Sequence, residues 1–582
     1  MKKLLYFAMA LGLVACQTEN VDVNGGKGDA ETSYLAINIV PAPDQGTRAE
    51  GGQASGQPGD ATYEEGYAAE NKIESVRFYF FNEGAIAAVK DEKNYFDWKP
   101  TDTDVEGPDM PNVEKQLKAV VVIETPKGDG LPKQIVAVIN PDAEGLGEAN
   151  LTLAELRDRT KNYVEDLEDG FVMTNAVYKA GTAEVATTAV TSANYAPTPD
   201  AAKANPVNIY VERNVAKVRV KFGEEVTVTQ NRIALTDSKK QPITVSVNGE
   251  DKQVYLELGK WNLTAQTDKG YFSKHVDASW NDNTPFANWN YAPYFRSFWA
   301  QNTEDAEQFW YSYNEIASKG GKDYGDTNNT NVIYTNENAP QVAGATDSSV
   351  EKFTKVILAG KLVYQDGEEW KPLEITKYAG ITSVGEAALK TTLLNNIKDN
   401  KALYSYVETA DDVTFSDVLD SDIKFKTALE SEVDGVDESE TTTGRYNVYL
   451  QLTEEGAKKN WAKTNVKETY KQNLLADEKA VNEYLVSSVG KAQVFATGLT
   501  YYYFPIEHLN PLAEGIGHYG VVRNHIYDCT INAIYGLGTP VYNPEQTIYP
   551  EHPQQDETYI AARINILSWR LVNHSYDLDW SE

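Results

Sequence analysis

Residues 207–222 read Val-Asn-Ile-Tyr-Val-Glu-Arg-Asn-Val-Ala-Lys-Val-Arg-Val-Lys-Phe, and this stretch decides the fold class. Apolar and polar side chains alternate along most of it, which is the pattern of a β-strand with one buried face. Similar β-rich stretches occur at residues 34–40, 73–81, 118–124 and 134–140. The 36 tyrosines and 10 tryptophans also favour strands. The sequence therefore predicts an all-β protein with minor helices.

Three stretches depart from the strand pattern and predict helices. Residues 151–160 form a short candidate, with Thr152 as N-cap and Glu155 as its capping-box partner. Residues 384–399 and 453–487 place apolar side chains at helical spacing. We therefore expect a partly helical segment around residues 384–490.

The first sixteen residues have the pattern of an export signal. A basic start is followed by eleven apolar residues, 4–14, which are too few to span a bilayer. The segment ends in Leu13-Val14-Ala15-Cys16, which resembles the lipobox of bacterial lipoproteins. Cys16 is then the lipidated first residue of an outer-membrane lipoprotein exported through the periplasm. The alternative is an ordinary secretory signal with an incidental cysteine.

The composition excludes several functions. With 86 acidic and 53 basic side chains, the net charge of -33 would repel nucleic acid. Two cysteines exclude a disulfide framework and a thiolate zinc site. His508, His518 and His525 match no common zinc spacing and are interpreted as structural. Without a nucleophile, phosphate-binding or metal motif in a useful context, we predict no enzyme activity, catalytic residue, metal or cofactor.

Seven short stretches carry a common resemblance. In chain order they are 211–218 (VERNVAKV), 261–264 (WNLT), 294–300 (YFRSFWA), 334–338 (YTNEN), 498–503 (GLTYYY), 519–527 (YGVVRNHIY) and 536–540 (GLGTP). Together they resemble one family, the Mfa-type major fimbrillins, which are shaft subunits of type V pili. The resemblance extends from the signal peptide to Trp580 and is weakest in residues 384–490.

The resemblance implies a lipoprotein precursor with two transthyretin-like β-sandwich domains. The implied parts are a signal peptide (1–15), a lipidated propeptide (16–48), an N-terminal domain (49–206) and a C-terminal domain (207–582), the last with an insertion around residues 384–490. In this family an arginine-specific protease removes the propeptide. The sequence Thr47-Arg48-Ala49 occupies the matching position, so Arg48 and Ala49 would flank the cut.

Strand exchange is the assembly mechanism that the resemblance implies. Cleavage at Arg48 releases the first strand, whose residues Leu35, Ile37 and Ile39 alternate on one face. A C-terminal strand of another copy then fills the vacated groove. Two segments are candidate donors, and we expect the second to act between subunits and the first to stay in its own subunit, although either could be an ordinary core strand. The candidate residues are Leu567, Trp569 and Leu571 in the first segment, and Tyr576, Leu578 and Trp580 in the second.

The expected function is a structural subunit of a cell-surface fimbrium that supports adhesion and biofilm formation. Its expected partners are other copies of itself, minor anchor and tip subunits, the arginine-specific protease, and host or bacterial surface ligands. The alternative is a monomeric or tip-located lipoprotein adhesin of the same fold. Such an adhesin could bind protein, or stack glycan on aromatic side chains such as Trp289, Tyr294, Trp299 and Trp310.

Overall fold

The computed structural model describes most of the chain beyond the first thirty residues. The described residues are 31–41, 69–70, 72–100, 105–106, 116–125, 130–141, 143–162, 170–180, 183–276, 300–303, 305–325, 331–339, 352–379, 381–401, 403–429, 446–506, 519–550, 559–567 and 572–573.

The first sheet contains eleven of the described strands. Its central path runs β3-β2-β7-β9-β14-β1-β6-β5, with β4, β12 and β13 attached at its sides. The strands are β1 (Glu31–Pro41), β2 (Val76–Asn82), β3 (Ala85–Ile86), β4 (Tyr95–Trp98), β5 (Val105–Glu106), β6 (Gln116–Thr125), β7 (Gln134–Ile139), β9 (Met173–Asn175), β12 (Thr188–Ala189), β13 (Tyr195–Ala196) and β14 (Val207–Arg213).

The first core lies between two parts of this sheet. Alternate residues of β1, β6 and β14 pack against alternate residues of β2 and β7, and together they form one apolar cluster. Phe78 and Phe80 of β2 and Leu35 and Ile37 of β1 are fully buried in it. β1, the first strand that the structure describes, is therefore part of the core and not an appendage.

The second core lies between two further sheets, which form a β-sandwich. Buried residues of both sheets belong to one cluster that includes Trp261, Tyr527 and Cys529. One sheet has the order β23-β15-β36-β38-β39 and the other β16-β19-β24-β35-β37, with β25 beside β24. Their strands are β15 (Ala216–Phe222), β16 (Arg232–Ala234), β19 (Tyr255–Thr264), β23 (Val332–Thr335), β24 (Lys355–Asp366), β25 (Glu369–Pro372), β35 (Leu499–Pro505), β36 (Ile526–Tyr535), β37 (Thr539–Pro540), β38 (Tyr559–Leu567) and β39 (Val572–Asn573).

The third core belongs to a lobe whose first and last strands are paired with each other. β26 (Ile375–Tyr378) pairs with both β27 (Ile381–Val384) and β34 (Gln493–Phe495). The lobe has its own buried cluster, to which its two longest helices contribute. Its other strands and α-helices are β28 (Tyr404–Glu408), β29 (Val413–Asp417), β30 (Ile423–Leu429), β31 (Tyr446–Leu452), β32 (Asn460–Ala462), β33 (Leu474–Leu475), α5 (Glu386–Asn396), α6 (Glu454–Ala457) and α7 (Glu478–Val489).

The remaining elements are short ladders and helices. No helix in the part of the chain that the structure describes is long and apolar enough to cross a bilayer. The elements are β8 (Thr160–Asn162) paired with β21 (Lys269–Tyr271), β10 (Tyr178–Ala180) with β11 (Ala183–Val185), β17 (Thr244–Val247) with β18 (Glu250–Gln253), β20 (Gln266–Thr267) with β22 (Gln308–Phe309), and the helices α1 (Ala143–Leu146), α2 (Leu153–Arg157), α3 (Pro199–Ala202) and α4 (Tyr313–Ser318).

The all-β prediction is confirmed, and so is the detailed prediction at residue 152. Thr152 accepts a hydrogen bond from the backbone N–H of Glu155, and the Glu155 carboxylate accepts one from the backbone N–H of Thr152. The helix prediction for residues 453–487 is correct only in part, because α6 and α7 flank strands β32 and β33. Its charged residues lie on loops and short strands as well as on helices.

The predicted strand at residues 207–222 is interrupted by a change of sheet. β14 belongs to the first sheet and β15 belongs to the β-sandwich, so the chain crosses between them at Asn214 and Val215. The expected domain boundary at residue 206 thus precedes the last strand of the first sheet. The crossing is fixed by hydrogen bonds: Asn214 donates to the carbonyl of Phe272, and the carbonyl of Val215 accepts from the backbone N–H of Asn524.

The first sheet and the β-sandwich are joined by a short ladder, β8 with β21, and by the aromatic ring of Phe272. β8 pairs with β21 in antiparallel register. The next residue after β21, Phe272, is fully buried against apolar side chains of β2, β7, α1 and α2. Phe272, which follows β21, thus completes an apolar cluster that is otherwise formed by residues of the first sheet and its neighbouring helices.

Buried ion pairs reinforce this junction. The Lys217 ammonium lies 3.0 Å from the Glu70 carboxylate, and the Lys274 ammonium lies 2.9 Å from that of Glu212, with all four side chains inaccessible to solvent. Burial raises the pKa of Glu212, and the positive charge of Lys274 opposes that rise. A buried ion pair of this kind depends on both partners, because either charge alone would remain unsolvated.

We predict that Lys274→Met lowers the free energy of unfolding by about 3–5 kcal/mol at neutral pH. The Glu212 carboxylate would then lose its closest cation and keep only the more distant charge of Arg523, so its pKa in the folded state would rise further above the ordinary value of 4.5. A raised folded-state pKa costs stability only above the unfolded-state value, so the loss should shrink as the pH falls toward that value. Urea unfolding at about pH 5 and at neutral pH measures both effects.

The matched control is Lys458→Met, which removes an exposed ammonium 2.6 Å from Glu455. Exposed pairs contribute at most about 1 kcal/mol, so this variant should unfold like the parent chain at both pH values. Equal destabilisation by the two substitutions would contradict the role assigned to the buried pair.

Candidate strand-exchange groove

β1 is hydrogen-bonded along both of its edges, although it precedes every other described strand. On one edge it pairs antiparallel with β6 over nine residue pairs, from Glu31 opposite Thr125 to Ile39 opposite Leu117. On the other edge it pairs parallel with β14, from Ile37 opposite Val207 to Pro41 opposite Val211. Removal of β1 would leave two unpaired strand edges facing each other, which is the definition of a strand-accepting groove.

The β14 side of the groove is extended by a second, shorter strand. β13 pairs antiparallel with β1, with Tyr195 opposite Leu35 and Ala196 opposite Tyr34. The side chain of Tyr195 is held by a hydrogen bond, which its hydroxyl donates to the carbonyl of Pro132 at 2.6 Å. Burial of this side chain raises the pKa of its hydroxyl. The groove wall therefore changes from antiparallel to parallel pairing along its length.

The apolar floor of the groove receives two side chains of β1. Leu35 and Ile37 are fully buried in the first core, where residues of β6 and β14 line the same cluster. At about 1.5–3 kcal/mol for each buried side chain, the two contribute about 3–6 kcal/mol, which is an upper estimate. A vacated groove would expose this apolar surface as well as the backbone edges.

The opposite face of β1 is covered closely. Ala36 alternates with Leu35 and Ile37, so it faces away from the first core, yet only 4% of its surface is exposed. The helix α3 contacts β1, and its last residue, Ala202, is buried. The loop that carries α3 is closed by reciprocal amide bonds, from Asn194 to the carbonyl of Asn205 at 3.1 Å and from Asn205 to the carbonyl of Ala193 at 2.7 Å.

The structure places some of the predicted site residues and leaves others outside its described part. Leu35 and Ile37 occupy the expected positions on one face of β1, and Ile39 lies in the same strand. Leu567 is the last residue of β38, where it lies opposite Ile526 of β36 in its own chain. Cys16, Arg48, Ala49, Trp569, Leu571, Tyr576, Leu578 and Trp580 lie outside the described residues.

The residues first noted for their family resemblance meet at the junction of the two halves. Arg523 pairs with Glu337 at 2.7 Å and donates to the carbonyls of Tyr271 and Phe272. The Phe272 carbonyl also accepts the amide of Asn214 at 2.7 Å. The sequence of these stretches does not predict the contacts, because a strand pattern does not reveal which distant segments meet.

The residues considered for metal binding or catalysis have structural positions where they are described. His525 is buried, and its Nδ1 lies 2.7 Å from the carbonyl of Arg523. Cys529 is a buried free thiol whose pKa is raised by burial. Within the described ranges, no group of three or more His, Cys, Asp or Glu side chains is arranged to hold a metal ion. His508, His518 and the aromatic residues Trp289, Tyr294 and Trp299 fall outside those ranges.

The fold thus defines a β-sandwich protein whose first strand is an interior strand of its sheet. Two family models match the chain: the major fimbrial subunit protein FimA over residues 35–230, and the C-terminal part of fimbrillin, major fimbrial subunit protein type IV, over residues 493–576. Both matched families are families of fimbrial subunits, which supports a structural fimbrial subunit of the Mfa/FimA type and confirms the resemblance noted in the sequence. The first model begins at Leu35, inside β1.

Solved structures similar to the chain include three fimbrial proteins. A fimbrilin (FimA) from Porphyromonas gingivalis is 12% identical, with 93% of this chain and 98% of the other covered and a TM-score of 0.34. The tip fimbrial protein Mfa3 from the same organism, with a C-terminal truncation, is 12% identical, with 93% and 100% covered and a TM-score of 0.31. A fimbrial assembly protein from Parabacteroides distasonis is 11% identical, with 66% and 95% covered and a TM-score of 0.27. Comparison with curated protein sequences finds no significant match.

We predict that Leu35→Ala destabilises the uncleaved chain by about 2–5 kcal/mol, because it leaves a cavity in the first core. Thermal or urea unfolding of the purified precursor measures the change. Ser33→Ala is the matched control in the same strand, since Ser33 is half-buried and should be neutral within about 0.5 kcal/mol. A loss below about 1 kcal/mol for Leu35→Ala would show that β1 contributes little to the core.

Proposed function

We propose that this fimbrillin is made as a lipoprotein precursor, is activated by cleavage after Arg48, and polymerises when a C-terminal strand of another copy replaces β1. The observation that supports this most strongly is the position of β1. It is paired on both edges and buried, yet it lies before the segment that contains Arg48. One cut in that segment separates β1 from the rest of the chain.

The charge pattern around Arg48 favours it as the cleavage residue. It is the only basic residue between Lys27 and Lys72, in a stretch rich in Gly, Ala and acidic side chains. An arginine-specific protease acting on this stretch has a single target. Cleavage there leaves Ala49 as the new N-terminus.

After cleavage, β1 is held only by its ladders and its buried side chains. Leu35 and Ile37 slow its departure but no longer tie it covalently to the subunit. The subunit without β1 has two open edges and an apolar floor, so an incoming strand regains the lost pairing and burial. Proteolytic cleavage therefore controls when assembly can begin. Assembly is then driven by the strand pairing and apolar burial that the incoming strand restores.

The large negative charge of the chain is consistent with assembly that begins only after cleavage. At a net charge of -33, subunits repel each other, and this repulsion is screened over about 8–10 Å at physiological salt. Removal of residues 1–48, with four basic and five acidic side chains, hardly changes the charge. Contacts between subunits must therefore come from strand pairing and apolar burial.

The cellular location of the precursor follows from the first sixteen residues. Cys16 anchors the precursor to the outer membrane through its lipid, and cleavage at Arg48 removes that anchor together with β1. The released subunit joins a filament at the cell surface with other copies and with minor anchor and tip subunits. The filament serves adhesion and biofilm formation through host or bacterial surface ligands.

Treatment of the purified precursor with an arginine-specific protease tests the proposal. We predict filaments by negative-stain electron microscopy and a new N-terminus at Ala49. Arg48→Lys is the matched variant, because it keeps the positive charge but is not a substrate for such a protease. This variant should keep an intact propeptide and stay monomeric.

Two results would contradict the proposed function. Persistent monomers with Ala49 as N-terminus would show that cleavage does not activate assembly. Filaments from the uncleaved Arg48→Lys variant would show that β1 need not be separated from the subunit.

A further inference from the structure

We propose that the cavity between β19, β24 and α4 binds one ring of a neutral saccharide, with Tyr313 as its aromatic wall and Asp323 as a hydroxyl acceptor. The cavity has a volume of about 330 Å³ and lies on the side of β24 that faces away from the core of the β-sandwich. Its described lining residues lie between 231 and 359, so they include no part of β1 or of the strand-exchange groove.

The floor of the cavity is an irregular stretch of β19. The register between β19 and β24 shifts between Leu258 and Trp261, which leaves Gly259 and Lys260 opposite Ala359. A side chain on Gly259 would place its Cβ 2.8 Å from the carbonyl oxygen of Ala359, so only glycine lets the two strands approach this closely. Because Gly259 and Ala359 are both small, the space above the sheet stays open at this point.

Helix α4 forms one wall and is held against the sheet at several points. The side chain of Asn262 in β19 donates to the carbonyls of Ile316 at 3.1 Å and Lys319 at 2.8 Å. Ile316 is fully buried among residues of β24 and β35. The hydroxyl of Tyr313 donates to the carbonyl of Gly360 at 2.8 Å. These contacts fix the ring of Tyr313 before a ligand arrives, so binding loses little side-chain entropy.

Two further polar side chains line the cavity, and β19 holds each of them in place. The amide of Asn231 donates to the carbonyl of Leu258 at 2.7 Å. Asp323 is positioned by Trp261, whose indole N–H donates to the Asp323 carbonyl at 2.8 Å. The Asp323 carboxylate accepts from the Lys260 ammonium at 2.6 Å. A carboxylate can accept about four hydrogen bonds, so this contact leaves capacity for a ligand.

The chemistry of the lining matches the hydroxyl groups of a sugar, which both donate and accept hydrogen bonds. The Asp323 carboxylate accepts, the Lys260 ammonium donates, and the amides of Asn231 and Asn314 can do both. The ring of Tyr313 offers an apolar surface to the C–H groups of a pyranose. A peptide side chain would offer at most one hydroxyl to these groups, so a sugar ring uses the lining more fully.

Size and charge narrow the ligand class further. A volume of about 330 Å³ lies at the lower end of the range for small-molecule sites, which begins at about 300 Å³. Lys260 and Asp323 neutralise each other, so the cavity has no net charge that would select an ion. The net charge of -33 on the chain disfavours sialylated or sulfated saccharides. The lining and the charge together therefore favour a neutral sugar ring.

The inference deepens the adhesion part of the proposed function, and its biological role rests on that proposal. A single site of this size binds weakly, because its hydrogen bonds replace those that the sugar makes with water. Repetition of the site along a filament would raise the avidity by about 10²–10⁴-fold without any new contact. Binding by one subunit needs no filament, so the site can be tested apart from assembly.

Saccharide binding by the uncleaved Arg48→Lys chain tests the site directly. The chain is applied to an array of neutral oligosaccharides, sialylated oligosaccharides and short peptides, and the best ligand is then titrated by calorimetry. We predict that neutral saccharides bind and that the peptides do not.

A variant that fills the cavity locates the binding site. Ala317 lies on the wall formed by α4, so Ala317→Phe should weaken saccharide binding about tenfold or more, which corresponds to about 1.4 kcal/mol. Ser318→Phe is the matched control, because Ser318 is exposed on the same helix outside the cavity. This control should bind like the parent chain, and thermal unfolding of both variants verifies their fold.

A second variant tests the acceptor. Asp323→Asn removes the charge of the carboxylate and should also weaken binding about tenfold. Asp305→Asn is the matched control: Asp305 lies outside the cavity, pairs with Lys269 at 2.7 Å, and is 66% exposed where Asp323 is 68% exposed. The control should bind saccharide like the parent chain.

Three results would overturn the inference. They are no binding of any saccharide, binding restricted to peptides or to sialylated saccharides, and binding that either Ala317→Phe or Asp323→Asn leaves unchanged. Each of them would leave the proposed strand exchange standing, because that exchange does not use the cavity. Cleaved subunits that stay monomeric would overturn the proposed assembly but not saccharide binding by a single chain.

Discussion

The pairing of β1 between β6 and β14 is the constraint on which the rest of the first half depends. Because both edges of β1 are used, the sheet is continuous only while that place is filled. The buried Leu35 and Ile37 tie the same strand to the first core. Loss of β1 would open the sheet and expose apolar surface of the first core, so the stability of this part of the chain depends on that one strand.

The junction between the first sheet and the β-sandwich supports one of the two strands between which β1 lies. β14, which forms one wall of the groove, is followed after two residues by β15, so the wall is held at its far end by the second sandwich. The buried Lys217–Glu70 and Lys274–Glu212 pairs and the inserted Phe272 fix that end. These contacts are made by residues outside β1.

Local patterns in the sequence were sufficient to predict part of this architecture. The strand at residues 34–40 and the capping box of Thr152 and Glu155 follow from side chains near each other in the chain, and both were confirmed. The interruption at Asn214 could not be predicted, because the side chain of Asn214 donates to the carbonyl of Phe272, which lies far along the chain. The buried charges at the junction were hidden for the same reason: in sequence, Glu212 and Lys274 look like ordinary residues of a polar strand face and a loop.

The lobe between β26 and β34 has a consequence for how this protein can diverge. Its two ends leave from paired strands, with Ile375 opposite Phe495, and its buried cluster is separate from that of the sandwich. A lobe attached at two adjacent points can lengthen, shorten or change its surface while the distance between those points stays the same. Related chains can therefore differ in this lobe while they keep the strand register of the β-sandwich that carries it.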